Sequence, residues 1–377
     1  MYNLRELEKD QEIFSDIAKT SSIVAGVARP EIRSLTGFRF ITAFMIYVFH
    51  CSFHFGSTFP IHLVDRIIRN GAVFMTGFFV LSGFIMSYVY EKVDFSQRKN
   101  ILTFYVKRIA RIYPAYITGT IVYLAVFSHF HFKEYARSIV DDIFLVQGFF
   151  PSMFLVGING GTWSLTVEMF LYFLFPFISL LSRKPSTLLL VAVILSSVSG
   201  INALIDPSDY YYTSPLCRIS DFLFGIGIYH ARHRFNLNYW QHGLVILALC
   251  VATFFLGLEK YMYVEAQVLI AALFAVWIAA VYHSKSLFYN NLVLEYLGKI
   301  SYSFYMWQFL TIECGKKVIS AHPSINPWMV VIAGFVMNVS VSTLSYHILE
   351  KKVRSLLSTF LMRKIEPVDR LQSVHIL

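Results

Sequence analysis

Apolar windows of 17 to 22 residues recur along the chain, near 37 to 57, 71 to 90, 113 to 130, 163 to 182, 187 to 205, 218 to 231, 242 to 258, 263 to 283, 298 to 314 and 328 to 349. All but the sixth, 218 to 231, are about as long as a helix needs to cross a hydrocarbon core of roughly 30 Å. The pattern predicts an all-α fold, a polytopic transmembrane bundle of about ten spans. The sixth window is short and interrupted by Arg218, Asp221, Gly225 and Gly227, which suggests a broken helix lining a cavity. The first 36 residues are polar and charged. They read as a cytosolic arm, because no short apolar region with a small-residue cleavage site stands at the start. The expected division is therefore an arm over 1–36, a bundle over 37–350 and a cytosolic tail over 351–377.

Composition supports the membrane setting: 56% of residues are hydrophobic and 15% charged, with a mean hydropathy of +0.58. An ordinary soluble domain carries about 25% charged residues. With both termini placed in the cytoplasm, roughly three quarters of the 32 Lys and Arg fall on the inner side, as the positive-inside rule requires. That bias also accounts for the net charge of +9, since basic flanks facing anionic membrane lipid need no nucleic-acid partner. Cys51, Cys217, Cys250 and Cys314 have no metal-ligand spacing, so no metal is expected; only Cys217 and Cys314 are placed to meet on the outer side.

Ionisable residues inside the spans carry the candidate chemistry. Arg39 and His50 lie eleven residues apart, so they share one helix face and sit about 16 Å apart along its axis. A lipid-facing placement would expose a charge to hydrocarbon, so this face must look into protein or water. Arg108 and Arg111 share a face of FYVKRIARIYP, which reads as an amphipathic helix at the inner surface. With Arg39 they can hold a phosphorylated ligand through guanidinium forks, or simply anchor the helix to anionic headgroups. Glu168 follows a helix start at Thr162. If that start lies at the outer boundary, six residues of rise bring the carboxylate about 9 Å down, level with His50. The pair would then steady an imidazolium, while the alternative is a structural histidine bonded to neighbouring backbone. Ser82 and Gly83 fit close helix packing. Tyr302 and Gln308, in LGKISYSFYMWQ, fit either a ligand or interhelical hydrogen bonds.

In order, the strings IRSLTGFRFITAFMIYVFH, FFVLSGFIMSY, FYVKRIARIYPAY, TWSLTVEMFLYFLFP, RISDFLFGIGIY, LGKISYSFYMWQ and SYHILEKKVR resemble the membrane acyltransferase 3 family from about Ile32 to Arg354. These are integral-membrane enzymes that acylate carbohydrates and other hydroxyl acceptors. The resemblance implies catalytic roles for His50, Glu168 and Arg39, acyl-CoA binding by Arg39, Arg108 and Arg111, and acceptor contacts from Trp163, Ser164, Tyr302 and Gln308. It implies acetyl-CoA or another acyl-CoA as donor, a saccharide as acceptor, a bacterial inner-membrane location, and a stand-alone form with no fused hydrolase-like domain. Three positions depart from the family pattern: Thr36 stands where many members carry Asp, Gln308 where many carry His, and Lys352 where Pro is usual. A secondary transporter using the same buried charges is the rival reading, and a catalytically silent scaffold is a third. No feature of the sequence sets an oligomeric state.

Overall fold

The computed structural model of the chain describes residues 29, 31–56, 59–127, 139–150, 159–181, 184–256 and 266–373. Most of the expected cytosolic arm lies outside these. Among the described residues all regular structure is helical. The helices used below are α1 (Arg33–Phe55), α2 (Phe74–Tyr90), α3 (Arg98–Phe127), α4 (Trp163–Leu181), α5 (Pro185–Ile205), α6 (Pro215–Ala231), α7 (Tyr239–Phe255), α8 (Gln267–His283), α9 (Ser301–Ala321), α10 (Pro327–Ser345) and α11 (Arg354–Ser373).

Local sequence explains many of the ends. Gly56 closes α1 at φ +62°, a left-handed conformation that glycine adopts without a Cβ penalty. Pro185, Pro215 and Pro327 open α5, α6 and α10 at the first turn, where a missing N–H costs nothing. Asn238 and Gln241 form a reciprocal capping box at the start of α7.

By length and composition, six helical stretches can cross a membrane: Arg33–Phe55, Gly71–Tyr90, Arg98–Phe127, Trp163–Leu181, Pro185–Ile205 and Pro327–Arg363. Helices α7 and α8 are apolar but shorter. Helices α6 and α9 occupy two of the remaining predicted windows, and both carry charged residues.

The sixth window corrects the expectation of a broken helix. Helix α6 runs unbroken for 17 residues, and its interruptions have other purposes. A Cβ at Gly225 would lie 1.9 Å from the Val80 carbonyl oxygen, and one at Gly83 would lie 2.2 Å from that of Phe222. The glycines let the α2 and α6 backbones touch. Arg218 is fully buried. Its Nε donates to the Tyr212 carbonyl at 2.8 Å, and Nη1 donates to Asp221 Oδ2 at 3.2 Å and Thr76 Oγ1 at 3.3 Å. Gln267 Nε2 donates to Asp221 Oδ1 at 2.9 Å. A charged pair this deep is tolerated because each group finds partners, and those partners tie α6 to α2 and α8.

FYVKRIARIYP also differs from expectation. It is the first part of the 30-residue helix α3, with Phe104, Arg108 and Ile112 buried, so packing draws it into the bundle instead of laying it on a surface. All four cysteines are free, Cys217 and Cys314 included.

Two sets of contacts gather the helix ends. Glu91 holds Arg29 and, at 3.7 Å, Arg232, while Glu295 holds Arg33 at 2.5 Å and Lys299 at 2.6 Å. Elsewhere, Arg66 Nε donates to the Phe254 carbonyl at 2.5 Å and Asn70 Nδ2 to that of Thr253 at 2.9 Å. The first set joins segments predicted to lie inside, and the second joins segments predicted to lie outside.

Candidate active site

A cavity of about 90 Å³ lies between α1, α2, α3, α4 and α9, enough for several water molecules. Arg39, Arg111, Ser164, Glu168 and Tyr302, five of the candidate site residues named from the sequence, line it. Ser82, Tyr172, Ser301 and Tyr305 add polar atoms to walls made mainly of Met75, Phe78, Phe79, Leu81, Ile85 and Met86.

Of the charged groups around this cavity among the described residues, only Arg39, Arg111 and Glu168 line it. Arg39 feels the cation of Arg111 and the carboxylates of Glu31 and Glu168, and Arg111 feels Glu168 and Glu350. Two guanidinium groups thus face one carboxylate on the wall. Among the described residues neither guanidinium has a side-chain hydrogen-bond or ion-pair partner, whereas Glu168 accepts a hydrogen bond from Tyr172. In an apolar enclosure, free forks of this kind favour an anionic ligand with paired oxygens.

Arg108 is placed differently from the expected role. It is 6% exposed, and its Nη2 donates to Tyr90 Oη at 3.0 Å. The guanidinium lies over Tyr90, Phe104 and Tyr172 at 5.6, 5.7 and 5.4 Å from the ring centroids, within cation–π range. Met86 and Tyr172 stand between it and the cavity they line, so Arg108 braces the wall. Trp163 is likewise behind the wall, its ring 4.6 Å from Tyr212 and 6.3 Å from Phe79.

Glu168 does not meet His50. Asn159 Nδ2 donates to the Met306 carbonyl at 3.2 Å, and Tyr305 Oη to the Gly161 carbonyl at 2.9 Å. These bonds pull the residues before α4 down among the side chains of α9, so the helix starts inside the bundle. Five residues of rise from Trp163 then carry Glu168 about 8 Å further, to the level of Arg39 and Arg111.

His50 pairs with Gln308. Its Nδ1 lies 3.5 Å from Gln308 Oε1, and its ring centre is 4.6 Å from that of Phe309. An amide oxygen only accepts, so a hydrogen bond here requires the Nδ1–H form of the imidazole, which in the neutral ring leaves the lone pair on Nε2. His54, which the sequence reading passed over, follows one turn later with its ring 6.5 Å away; the i, i+4 spacing was the signal. A Cβ at Gly161 would lie 2.6 Å from the Phe309 ring, so this glycine makes room for the ring beside His50.

The cavity includes Arg39 but stops short of His50. Tyr305 lies at its upper end, where Ser164 Oγ donates to its hydroxyl at 2.9 Å. Gln308 is three residues further along α9, about 4.5 Å of rise. Among the described residues no cluster of ligands suited to a metal occurs.

A family model described as an acyltransferase domain matches residues 32–347. The chain belongs to this acyltransferase family. It is 28% identical over 159 residues to acyltransferase MdmB of Streptomyces mycarofaciens, a match covering 40% of each chain. It is also 28% identical over 180 residues to an uncharacterized protein of Haemophilus influenzae (strain ATCC 51907 / DSM 11121 / KW20 / Rd), covering 41% of this chain and 73% of that one. The chain thus spans less than half the length of the first of these relatives. No solved structure matches the chain. The family membership covers α1 through α10, so every residue of the cavity lies within the matched region.

Proposed function

We propose that the protein is a membrane O-acyltransferase that moves an acyl group, acetyl in the simplest case, from cytosolic acyl-CoA to a saccharide hydroxyl on or near the outer face. The acceptor would be a lipid-linked or surface polysaccharide unit, and the setting a bacterial inner membrane. The observation that carries this reading is the pair of guanidiniums, Arg39 and Arg111, unpartnered among the described residues, on an apolar cavity that ends at Tyr305, three residues of α9 before Gln308, the neighbour of His50.

In this reading the bundle has ten spans and both termini are cytoplasmic. The basic end, with Arg29, Arg33, Arg232 and Lys299, faces the cytoplasm. Donor phosphates bind Arg39 and Arg111, and Glu168 orients the two forks. The pantetheine arm follows the apolar walls towards His50, and Tyr305 turns aside to let the thioester pass. His50 Nε2 takes the proton of the acceptor hydroxyl as its oxygen bonds to the thioester carbon. The C–S bond then breaks and the same proton passes to the departing sulfur, leaving an ester and a free thiol. The same nitrogen also serves a route through an acyl-histidine. Ser164 lines the upper end of the cavity and Gln308 lies beyond it towards the acceptor, with Trp163 backing that end from behind the wall; Tyr302, whose hydroxyl donates to the Ile112 carbonyl at 2.8 Å, lines the donor part beside Arg111.

The test uses membrane vesicles from source cells lacking the chromosomal copy and complemented with wild type or His50→Ala, supplied with labelled acetyl-CoA. Wild type transfers label to surface glycan, and His50→Ala, at equal abundance, does not. Label transfer by His50→Ala at the wild-type rate would remove the assignment, and glycan or anion export without acetyl-CoA consumption would favour the transporter.

A further inference from the structure

Gln308 has a half that the pairing with His50 does not use. The residue is completely buried, and its Nε2 has no hydrogen-bond partner among the described residues. A buried, unpaired amide donor is costly and uncommon in a folded protein. Here it belongs to the side chain whose oxygen lies 3.5 Å from His50 Nδ1, so the free N–H groups sit beside the imidazole. Phe309, the next residue of α9, packs its ring 4.6 Å from that of His50 and offers no acceptor. What such a donor lacks is an acceptor that arrives with a ligand.

We infer that the Gln308 amide N–H is the oxyanion donor of the transfer step, hydrogen-bonding the thioester carbonyl oxygen while the Gln308 carbonyl oxygen holds His50 in its Nδ1–H form. This rests on the transfer reaction proposed above. As the acceptor oxygen bonds to the carbonyl carbon, the C=O π pair moves onto the carbonyl oxygen. The bond from Nε2 tightens as that charge develops, and it relaxes when the pair returns and the C–S bond breaks. One side chain thereby coordinates both ends of the event, fixing which imidazole nitrogen is the base and stabilising the charge the base helps to create. A donor that is preorganised and already desolvated suits this purpose, since no water has to be reordered when the charge appears.

The experiment compares Gln308→Glu and Gln308→Met with wild type in the same complemented vesicles. It measures kcat and KM for labelled acetyl-CoA, with thermal melting of each purified full-length protein in detergent. Glu keeps an acceptor for His50 Nδ1 but loses the N–H; Met, of similar volume, loses both. The expected result is a fall in kcat of about 10² to 10³ for both variants, the loss seen when one oxyanion donor is removed, with KM for acetyl-CoA unchanged. If Gln308→Glu keeps kcat within about threefold of wild type while Gln308→Met falls, the side chain only sets the tautomer, and the inference is overturned. It is equally overturned if either variant, melting as wild type does, retains full kcat. These outcomes leave the proposed reaction standing as long as wild type transfers label and His50→Ala does not. Absence of transfer by wild type itself removes both.

Discussion

Replacing Gly225 with Ala places a methyl group 1.9 Å from the Val80 carbonyl oxygen and 2.9 Å from the Phe84 nitrogen. Both are backbone atoms of α2, so no side-chain rotation relieves the contact. A real Cβ does not approach closer than 3.0 Å, and α2 and α6 must therefore separate by roughly 1 Å. Overpacking of a tight interface typically costs about 1–3 kcal/mol, which for a chain of this size is a drop of a few degrees in melting temperature. The larger effect falls on activity, because α2 carries Phe78, Ser82, Ile85 and Met86 of the cavity wall. A misplacement of about 1 Å at a reacting site can cost about 100-fold in rate. The assay is turnover of the proposed acetyl-CoA donor alongside melting in detergent, with Gly243→Ala as the companion variant. A Cβ at Gly243 meets nothing within 4 Å, and alanine in place of glycine inside a helix stabilises by up to about 1 kcal/mol. Gly225→Ala with wild-type melting and wild-type turnover would show that the two backbones are not in contact and that the cavity wall does not depend on their approach.

Other consequences follow from the buried polar groups. Arg218→Met strands the Asp221 carboxylate beside Gln267 and should cost about 3–5 kcal/mol, with Arg218→Met/Asp221→Asn recovering a large part of it. Equal melting of single and double variants would show that the pair does not brace α6. Asp142, in the segment between α3 and α4, is 2% exposed, and burial pushes its carboxyl up to about 7, against about 3.9 for an unfolded chain. Between those values the folded state keeps a proton that the unfolded state releases, so stability falls by about 1.4 kcal/mol per pH unit and levels off above pH 7. Asp142→Asn should therefore melt as wild type does at pH 4 and above wild type at pH 8; a constant difference at both values would exclude a buried neutral carboxyl.

The ion-pair and glycine positions show how legibility divides. Gly83 reads from sequence as a packing residue, and packing against α6 is what it does. Gly225 and Arg218 read as breaks in a helix, because hydropathy scores each residue alone and does not register that Val80, Thr76 and Asp221 will receive them. His54 was within reach through its spacing from His50, and only the contact with Phe309 draws it into the site.

The amino-acid sequence by itself determined the helical bundle, the predicted positions of its helices and the side chains that cannot face lipid, because the cost of exposing a charge to hydrocarbon applies before any partner is known. It also placed Arg39, Arg111, Ser164, Glu168 and Tyr302 among the polar groups that one cavity gathers. Depth and partnership were decided only in three dimensions. Glu168 lies with the arginines because Asn159 reaches the backbone of Met306, 147 residues away, and His50 is held by Gln308 across a separation of 258. Periodicity reports which way a side chain points around its own helix, whereas the height of that helix against its neighbours is set by contacts between segments distant in the chain.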